Sequence, residues 1–237
     1  MRRFEGRTAI VTGAGGAIGG AIARRLEAEG AKLVLGDLEP LTWKDATTVA
    51  GDLSDPVAAQ ELIAACDGRI DVLVNNAGGG VIRPTLDHTE ETLQATIDRN
   101  LWTAIRTTLA ALPYMRDAGY GRIVFVGADS VRNGLDLHAV YNAAKGGVHA
   151  FARGLAREYA RDGITVNTVA PSATATPDLE RFLAEKPEAA EAFLRVIPIG
   201  RPARLEEVAS AVAYLASDEA SFITGQVLSV NGGANMG

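Results

Sequence analysis

The feature that most constrains this chain is a short apolar run that passes without a linker into a glycine-rich turn and then a helix. Thr8-Ala-Ile-Val-Thr12 reads as a buried strand, Gly13-Ala-Gly-Gly-Ala-Ile-Gly19-Gly20 follows at once, and Ile18, Ile22, Ala23 and Leu26 recur at helical spacing. Glycine at such a turn lets the backbone approach a pyrophosphate closely and aim amide N–H groups at it, while the helix dipole favours the negative charge. Gly13, Gly15, Gly16, Ala17 and Ile18 are therefore candidate cofactor contacts. The literal G-x-G-x-x-G pattern fails, since Ile18 stands at its third glycine, and a tight connection without a ligand is the competing reading.

The next strand, Lys32-Leu-Val-Leu-Gly36, ends at Asp37. An acidic residue about 20 positions past the glycines accepts hydrogen bonds from the adenosine ribose and repels a 2′-phosphate. Residues 13 to 20 and 38 to 43 hold no Arg or Lys to bind that phosphate. NAD is thus expected over NADP, with a turn or capping aspartate as the plain alternative.

Strand and helix patterns alternate along the rest of the chain. Strands are predicted at residues 7 to 12, 32 to 36, 46 to 50, 70 to 74, 121 to 127, 164 to 168 and 226 to 230. Alternation of this kind implies an α/β fold: a single doubly wound Rossmann-type domain over residues 1 to 237, with a mainly parallel seven-stranded sheet. Only Asp37 to Asp45 joins the second and third strands, short for a parallel crossover, so a trimmed loop or single turn is expected there.

Tyr141 and Lys145 lie four residues apart in Tyr-Asn-Ala-Ala-Lys, which on a helix puts phenol and ammonium on one face. A neighbouring cation favours phenolate and is expected to lower the tyrosine pKa toward the working range.

These segments, with four more, resemble the short-chain dehydrogenase/reductase family over essentially the whole chain. Thr12-Gly13 through Gly19 resembles its T-G-x-x-x-G-x-G turn, and Asn75-Asn76-Ala77-Gly78 its N-N-A-G segment. Asp52-Leu53 is similar to its adenine-contacting pair, Asn100 to the asparagine of its proton relay, and Pro171 through Thr174 and Thr176 to the P-G-x-x-x-T stretch beside the nicotinamide. Ile223-Thr-Gly225 and Asn231-Gly-Gly233 resemble its last strand region. The resemblance implies cofactor contacts at Asp37, Asp52, Leu53, Asn76, Ala77, Gly78, Tyr141, Lys145, Pro171, Thr174 and Thr176, and catalysis by Asn100, Tyr141 and Lys145. Tyr141 would exchange the proton of an alcohol while hydride moves to or from nicotinamide, and Lys145 would hold the phenol and the ribose.

Departures matter as much. Ala17 replaces the turn's middle glycine, Ser172 stands where glycine is usual, and Ala128 occupies the family's catalytic serine position, thirteen residues before Tyr141. Alanine has no hydroxyl to donate. Ser130 lies eleven residues before Tyr141. Either a bulge brings Ser130 into the role, which is the preferred reading, or the site works without its serine, or Ala128 is an engineered substitution.

The expected activity is interconversion of a secondary alcohol and a ketone, the segment being similar to those of cyclic-alcohol and cis-dihydrodiol dehydrogenases; a carboxylate or CoA ester on the substrate is open. Residues 79 to 83, 132 to 138 and those after Pro177 should line the substrate pocket, with Arg132 as a carboxylate partner and His138 beside the tyrosine. A non-catalytic NAD-binding sensor is the alternative.

A net charge of −6 argues against nucleic acid. Met1-Arg-Arg-Phe-Glu-Gly is no secretory signal, no apolar run is long enough to span a membrane, and Cys66 is alone, so a cytoplasmic location is expected. No metal site is expected. Small residues on the helices near 94 to 117 and 139 to 160 permit close packing between subunits, and the family resemblance implies a homotetramer.

Overall fold

The computed structural model describes residues 2–186, 191 and 194–236. Seven strands form one wholly parallel sheet: β1 (Thr8–Thr12), β2 (Lys32–Asp37), β3 (Thr47–Ala50), β4 (Val72–Asn75), β5 (Gly121–Val126), β6 (Ile164–Pro171) and β7 (Val227–Val230), in the order β3-β2-β1-β4-β5-β6-β7. Every predicted strand is present. The direction of winding reverses between β1 and β4, which opens a crevice at the carboxyl ends of the strands.

Period-two alternation within the buried strands builds two cores. Ala9 and Val11 of β1 face one layer with Leu33, Leu35 and Val124, covered by α1 (Ala17–Ala28) and α8 (Leu205–Leu215) through Ile22, Leu26, Val208 and Val212. Ile10, Val34, Leu73, Ile123 and Phe125 face the other. There α2 (Pro56–Ala64), α4 (Thr103–Ala118) and α6 (Ala139–Tyr159) bring Leu62, Leu112, Met115, Val148 and Leu155. At about 25 cal/mol per Å² of apolar area, a double core of this size supplies the main driving force for folding.

β2 and β3 pair in parallel, Val34 opposite Thr47, across a connection without a helix. Leu41, Trp43 and Ala46 of that trimmed loop pack onto the first core instead. The helix expected near 94 to 117 is three pieces: α3 (Glu90–Ile97), capped by Thr89, then a π-helical turn at Asp98–Trp102, then α4. Two further short helices, α5 (Ser130–Asn133) and α7 (Pro177–Glu185), follow β5 and β6. Among the described residues, no helix is long and apolar enough to cross a membrane and no cluster of His, Cys, Asp and Glu could hold a metal.

Candidate active site

A cavity of about 590 Å³ opens at the carboxyl ends of the strands, lined by residues that follow β1, β2, β3, β4, β5 and β6. That is within the range of about 300–1,000 Å³ usual for ligand sites. Of the candidate residues, Gly13, Gly16, Ala17, Ile18, Asp37, Asp52, Leu53, Asn76, Ala77, Gly78, Tyr141, Lys145, Pro171 and Thr176 line it.

The first wall is the glycine turn. Gly13 has φ 66°, a conformation that favours glycine, and a Cβ on Gly19 would lie 2.0 Å from the Gly13 carbonyl, so the turn can close only without side chains. Gly15 is not in the wall; its N–H donates to Asp37 Oδ2 at 2.8 Å, while Asp37 Oδ1 accepts from Leu38 N–H at 2.8 Å. The N-terminus of α1 has neither a side-chain cap nor an acidic residue in its first turn. Its orphan N–H groups and positive dipole end therefore remain available at the cavity wall, and this fits a dinucleotide's pyrophosphate.

Hydrogen bonds fix the second wall to the first. Asn76 Nδ2 donates to the carbonyls of Thr12 and Gly13 at 3.0 and 3.1 Å, and Thr12 Oγ1 accepts the N–H groups of Asn76 and Ala77 at 3.1 and 2.9 Å. Asn75 instead anchors α4, donating to Thr108 Oγ1 at 2.9 Å and accepting from Thr107 Oγ1 at 2.6 Å. Asp52 caps a turn, its Oδ1 taking Ser54 N–H at 2.9 Å. Thr176 caps α7 through Leu179 N–H at 3.3 Å, whereas Thr174 is buried outside the wall, its Oγ1 donating to the Ser172 carbonyl at 3.2 Å.

Tyr141, Lys145 and Asn100 converge on Gly78-Gly79-Gly80. A Cβ at Gly78 would meet Asn100 Oδ1 at 2.6 Å and Lys145 Nζ at 3.0 Å, and one at Gly80 would meet Tyr141 Cδ2 at 2.6 Å. Asn100 sits in the π-helical turn, buried, with Nδ2 donating to the Gly79 and Thr96 carbonyls at 2.8 Å each and Oδ1 accepting Gly79 N–H at 3.2 Å. Its side chain is spent on shaping the loop.

The lysine does not lower the tyrosine pKa as the sequence suggested. Burial pushes Tyr141 up to about 12 and pulls Lys145 down to about 8. Lys145 Nζ donates to the Val126 carbonyl at 2.8 Å and lies 6.0 Å from the Tyr141 ring centroid. Loss of hydration is the dominant influence that the chain itself exerts on the phenol.

Ser130 is not where the preferred reading needs it. It opens α5, and its Oγ donates to Asn142 Oδ1 at 2.6 Å; Ala128, not Ser130, lines the cavity. Arg132 is also absent from the cavity wall, reaching β7 through the Val227 carbonyl at 3.2 Å and Ser229 Oγ at 3.3 Å. His138 does meet the tyrosine, ring edge to face at 5.9 Å, with Nδ1 held 2.6 Å from the Asp136 carbonyl. Part of the segment expected after Pro177, at 187–190 and 192–193, lies outside the described residues. Arg99 and Thr103 line the cavity without having been anticipated. Arg99 precedes Asn100 in the chain, which was its only signal.

Residues 13–235 match the family model described as enoyl-(acyl carrier protein) reductase. The 2,3-dihydroxy-2,3-dihydro-p-cumate dehydrogenase of Pseudomonas putida is 53% identical, the match covering 98% of this chain and 96% of that protein. The 3-oxoacyl-[acyl-carrier-protein] reductase FabG of Salmonella typhimurium is 39% identical over 98% of this chain and 99% of its own length. Among solved structures, levodione reductase superposes with a TM-score of 0.90 at 34% identity, covering 98% of both chains. The chain is an oxidoreductase and belongs to the short-chain dehydrogenase/reductase family.

Proposed function

We propose that this enzyme oxidises a cyclic cis-dihydrodiol with NAD⁺, and that residues 1 to 237 form one domain carrying both cofactor and catalytic sites. The observation that carries the substrate class is the 53% identity to 2,3-dihydroxy-2,3-dihydro-p-cumate dehydrogenase along almost the whole of both chains. NAD over NADP follows from Asp37, whose carboxylate lines the cavity at the end of β2.

When bound, the nicotinamide supplies the hydride acceptor and, in its oxidised form, a positive charge. The chain's own groups do the rest. Tyr141 accepts the proton of the reacting hydroxyl, and the C–H electron pair leaves as hydride, so one ring carbinol becomes a ketone. A phenol near 12 holds its own proton at neutral pH, so Tyr141 must first release that proton toward solvent before it takes the substrate's; Lys145, at about 8, is mostly cationic there. One of its three donors is fixed on Val126, leaving two for the cofactor ribose and the relay at Asn100. The neighbouring hydroxyl is untouched, and the hydroxyketone gains aromaticity by tautomerising to a catechol.

The test is NADH formation from ring cis-dihydrodiols, with and without a carboxylate or CoA ester, against simple cyclic alcohols, run with NAD⁺ and NADP⁺. Preferred turnover of a dihydrodiol with NAD⁺ is expected, and abolished turnover with near-normal NADH binding in Tyr141→Phe. Equal use of both cofactors would remove the Asp37 argument. Binding without turnover would revive the sensor reading, for which the comparisons give no support. The same reading makes the protein a cytoplasmic homotetramer, four times 24.8 kDa by light scattering.

A further inference from the structure

α6 carries a third polar residue on the face of Tyr141 and Lys145. His149 follows Lys145 by one helical turn, is buried at 4% exposure, and has no part in the proton transfer described above. Its partner is backbone: Ala128 N–H donates to His149 Nε2 at 3.3 Å. An amide N–H can only donate, so Nε2 must be bare and the ring proton sits on Nδ1. Burial first, then the nearby cations Lys145, Arg153 and Arg132, push the imidazole down to about 4 against the opposing pull of Asp129. The acceptor lone pair therefore persists at neutral pH.

The fit is close. A Cβ on Gly127 would lie 2.1 Å from His149 Nε2 and 2.7 Å from Thr168 Cγ2, so a side chain at 127 and this imidazole cannot coexist. On the other side of Gly127, Lys145 Nζ holds the Val126 carbonyl at 2.8 Å. α6 thus grips the end of β5 on both sides of one glycine, and the gripped segment runs into Ala128, the cavity-wall residue at the missing-serine position.

We propose that His149 is a positioning residue for the reaction, fixing the backbone at Ala128 relative to Tyr141 so that the substrate oxygen meets a wall of set depth. This rests on the catalytic reading of Tyr141. Misplacement of a site by about 1 Å can cost on the order of 10²-fold in rate, so a bond that pins the wall bears on kcat rather than on cofactor binding.

The experiment compares His149→Leu, which removes the acceptor, with His149→Gln, whose amide oxygen can accept in its place. Hydrogen exchange at the Ala128 amide and ¹⁵N shifts of the imidazole are read on the protein alone; kcat, KM and NADH affinity are read with whichever alcohol turns over best. The expected result is an unprotonated Nε2 in the parent protein. In His149→Leu, Ala128 exchange should quicken about tenfold and kcat fall about tenfold or more with NADH affinity within about twofold, both effects being largely reversed in His149→Gln. A protonated Nε2, equal kcat in the two variants, or loss of NADH affinity in step with kcat would overturn the proposal. Should His149→Leu not fold, His149→Gln decides: protection kept with near-parental kcat supports it, and protection lost with kcat unchanged overturns it. Absence of turnover across the whole panel would sink the substrate reading separately, since the exchange and ¹⁵N measurements need no substrate.

Discussion

At the scale of single residues, position 128 decides most. Ser130 Oγ is committed to Asn142, and the Ala128 methyl lines the cavity. Ser130→Ala is therefore expected to leave kcat within about threefold, whereas Ala128→Ser, adding a donor at the wall, should raise it by up to about 10²-fold, the usual worth of one such donor. Initial rates on the best dihydrodiol check both, and a large loss in Ser130→Ala would restore Ser130 to the mechanism. Lys145 gives a stability counterpart. Its pKa falls from 10.5 to about 8 on folding, so the buried ammonium weakens the fold by its full amount below about pH 8, and this burden fades as pH rises toward 10.5. Lys145→Met should abolish turnover yet stabilise the protein at pH 7 by about 2 kcal/mol, once about 1 kcal/mol is deducted for the bond lost by the Val126 carbonyl. Urea titrations at pH 7 and pH 10 should show the advantage shrinking at the higher pH. Tyr141, Lys145 and Asp37 were legible because each is announced by neighbours a few positions away. His149 was not, since a histidine among apolar helix positions gives no hint of an amide 21 residues upstream. The pKa of Tyr141 was misread for the same reason: its burial comes from distant segments such as Gly80, which the helix alone does not reveal.

At the scale of elements, β1, β2, β4 and β5 were readable because buried parallel strands are short apolar runs, whereas the half-exposed β3 and β7 were readable from their β-branched residues and their place in the alternation of strands and helices. The trimmed link between β2 and β3 was readable from its length alone. The π-helical turn at Asp98–Trp102 was not, because nothing in residue type separates an i→i+5 bond from an i→i+4 bond. That turn places Asn100 where its amide can hold both polar groups of Gly79, and so shapes the loop against which Tyr141 rests. The loop therefore has a sharp steric requirement. Gly80→Ala would set a methyl 2.6 Å from Tyr141 Cδ2, and the ring cannot swing freely with His138 packed edge-on at 5.9 Å. Turnover should fall about tenfold or more while NADH affinity changes less than about threefold. Gly79→Ala is the comparison variant: a Cβ there meets no protein atom within 4 Å and leaves the contact with Tyr141 alone, so its loss of kcat should be the smaller of the two. Equal losses in the two variants would mean that the loop backbone matters rather than the contact with the tyrosine.

For the molecule as a whole, the opposite end of the sheet from the cavity is held by charge. Glu29, at the end of α1, accepts from Arg3 Nη2 at 2.8 Å and from Arg25, and its backbone carbonyl takes Phe4 N–H at 3.0 Å, closing the N-terminal segment over the buried Phe4 ring. Asp71, before β4, accepts Thr8 N–H at 2.8 Å, Arg69 Nε at 2.9 Å and Arg7 Nη1 at 3.0 Å. Hydrogen bonding from Arg3, then from Arg25, holds the Glu29 carboxyl at about 2 against the opposing effect of burial. A carboxyl depressed from 4.5 to about 2 contributes stability that is complete above about pH 4.5 and is lost as pH falls through about 2. Glu29→Gln should therefore cost about 2 kcal/mol at pH 7, a figure reduced for the partial exposure of Arg25, and the difference from the parent protein should shrink steadily below pH 4.5. Denaturant titrations at pH 7, 4.5 and 3 measure this, with NADH binding at pH 7 expected to be unchanged because the site lies at the other end of the strands. A loss of equal size at all three values would assign the effect to packing of the N-terminal segment instead of to the ion pairs.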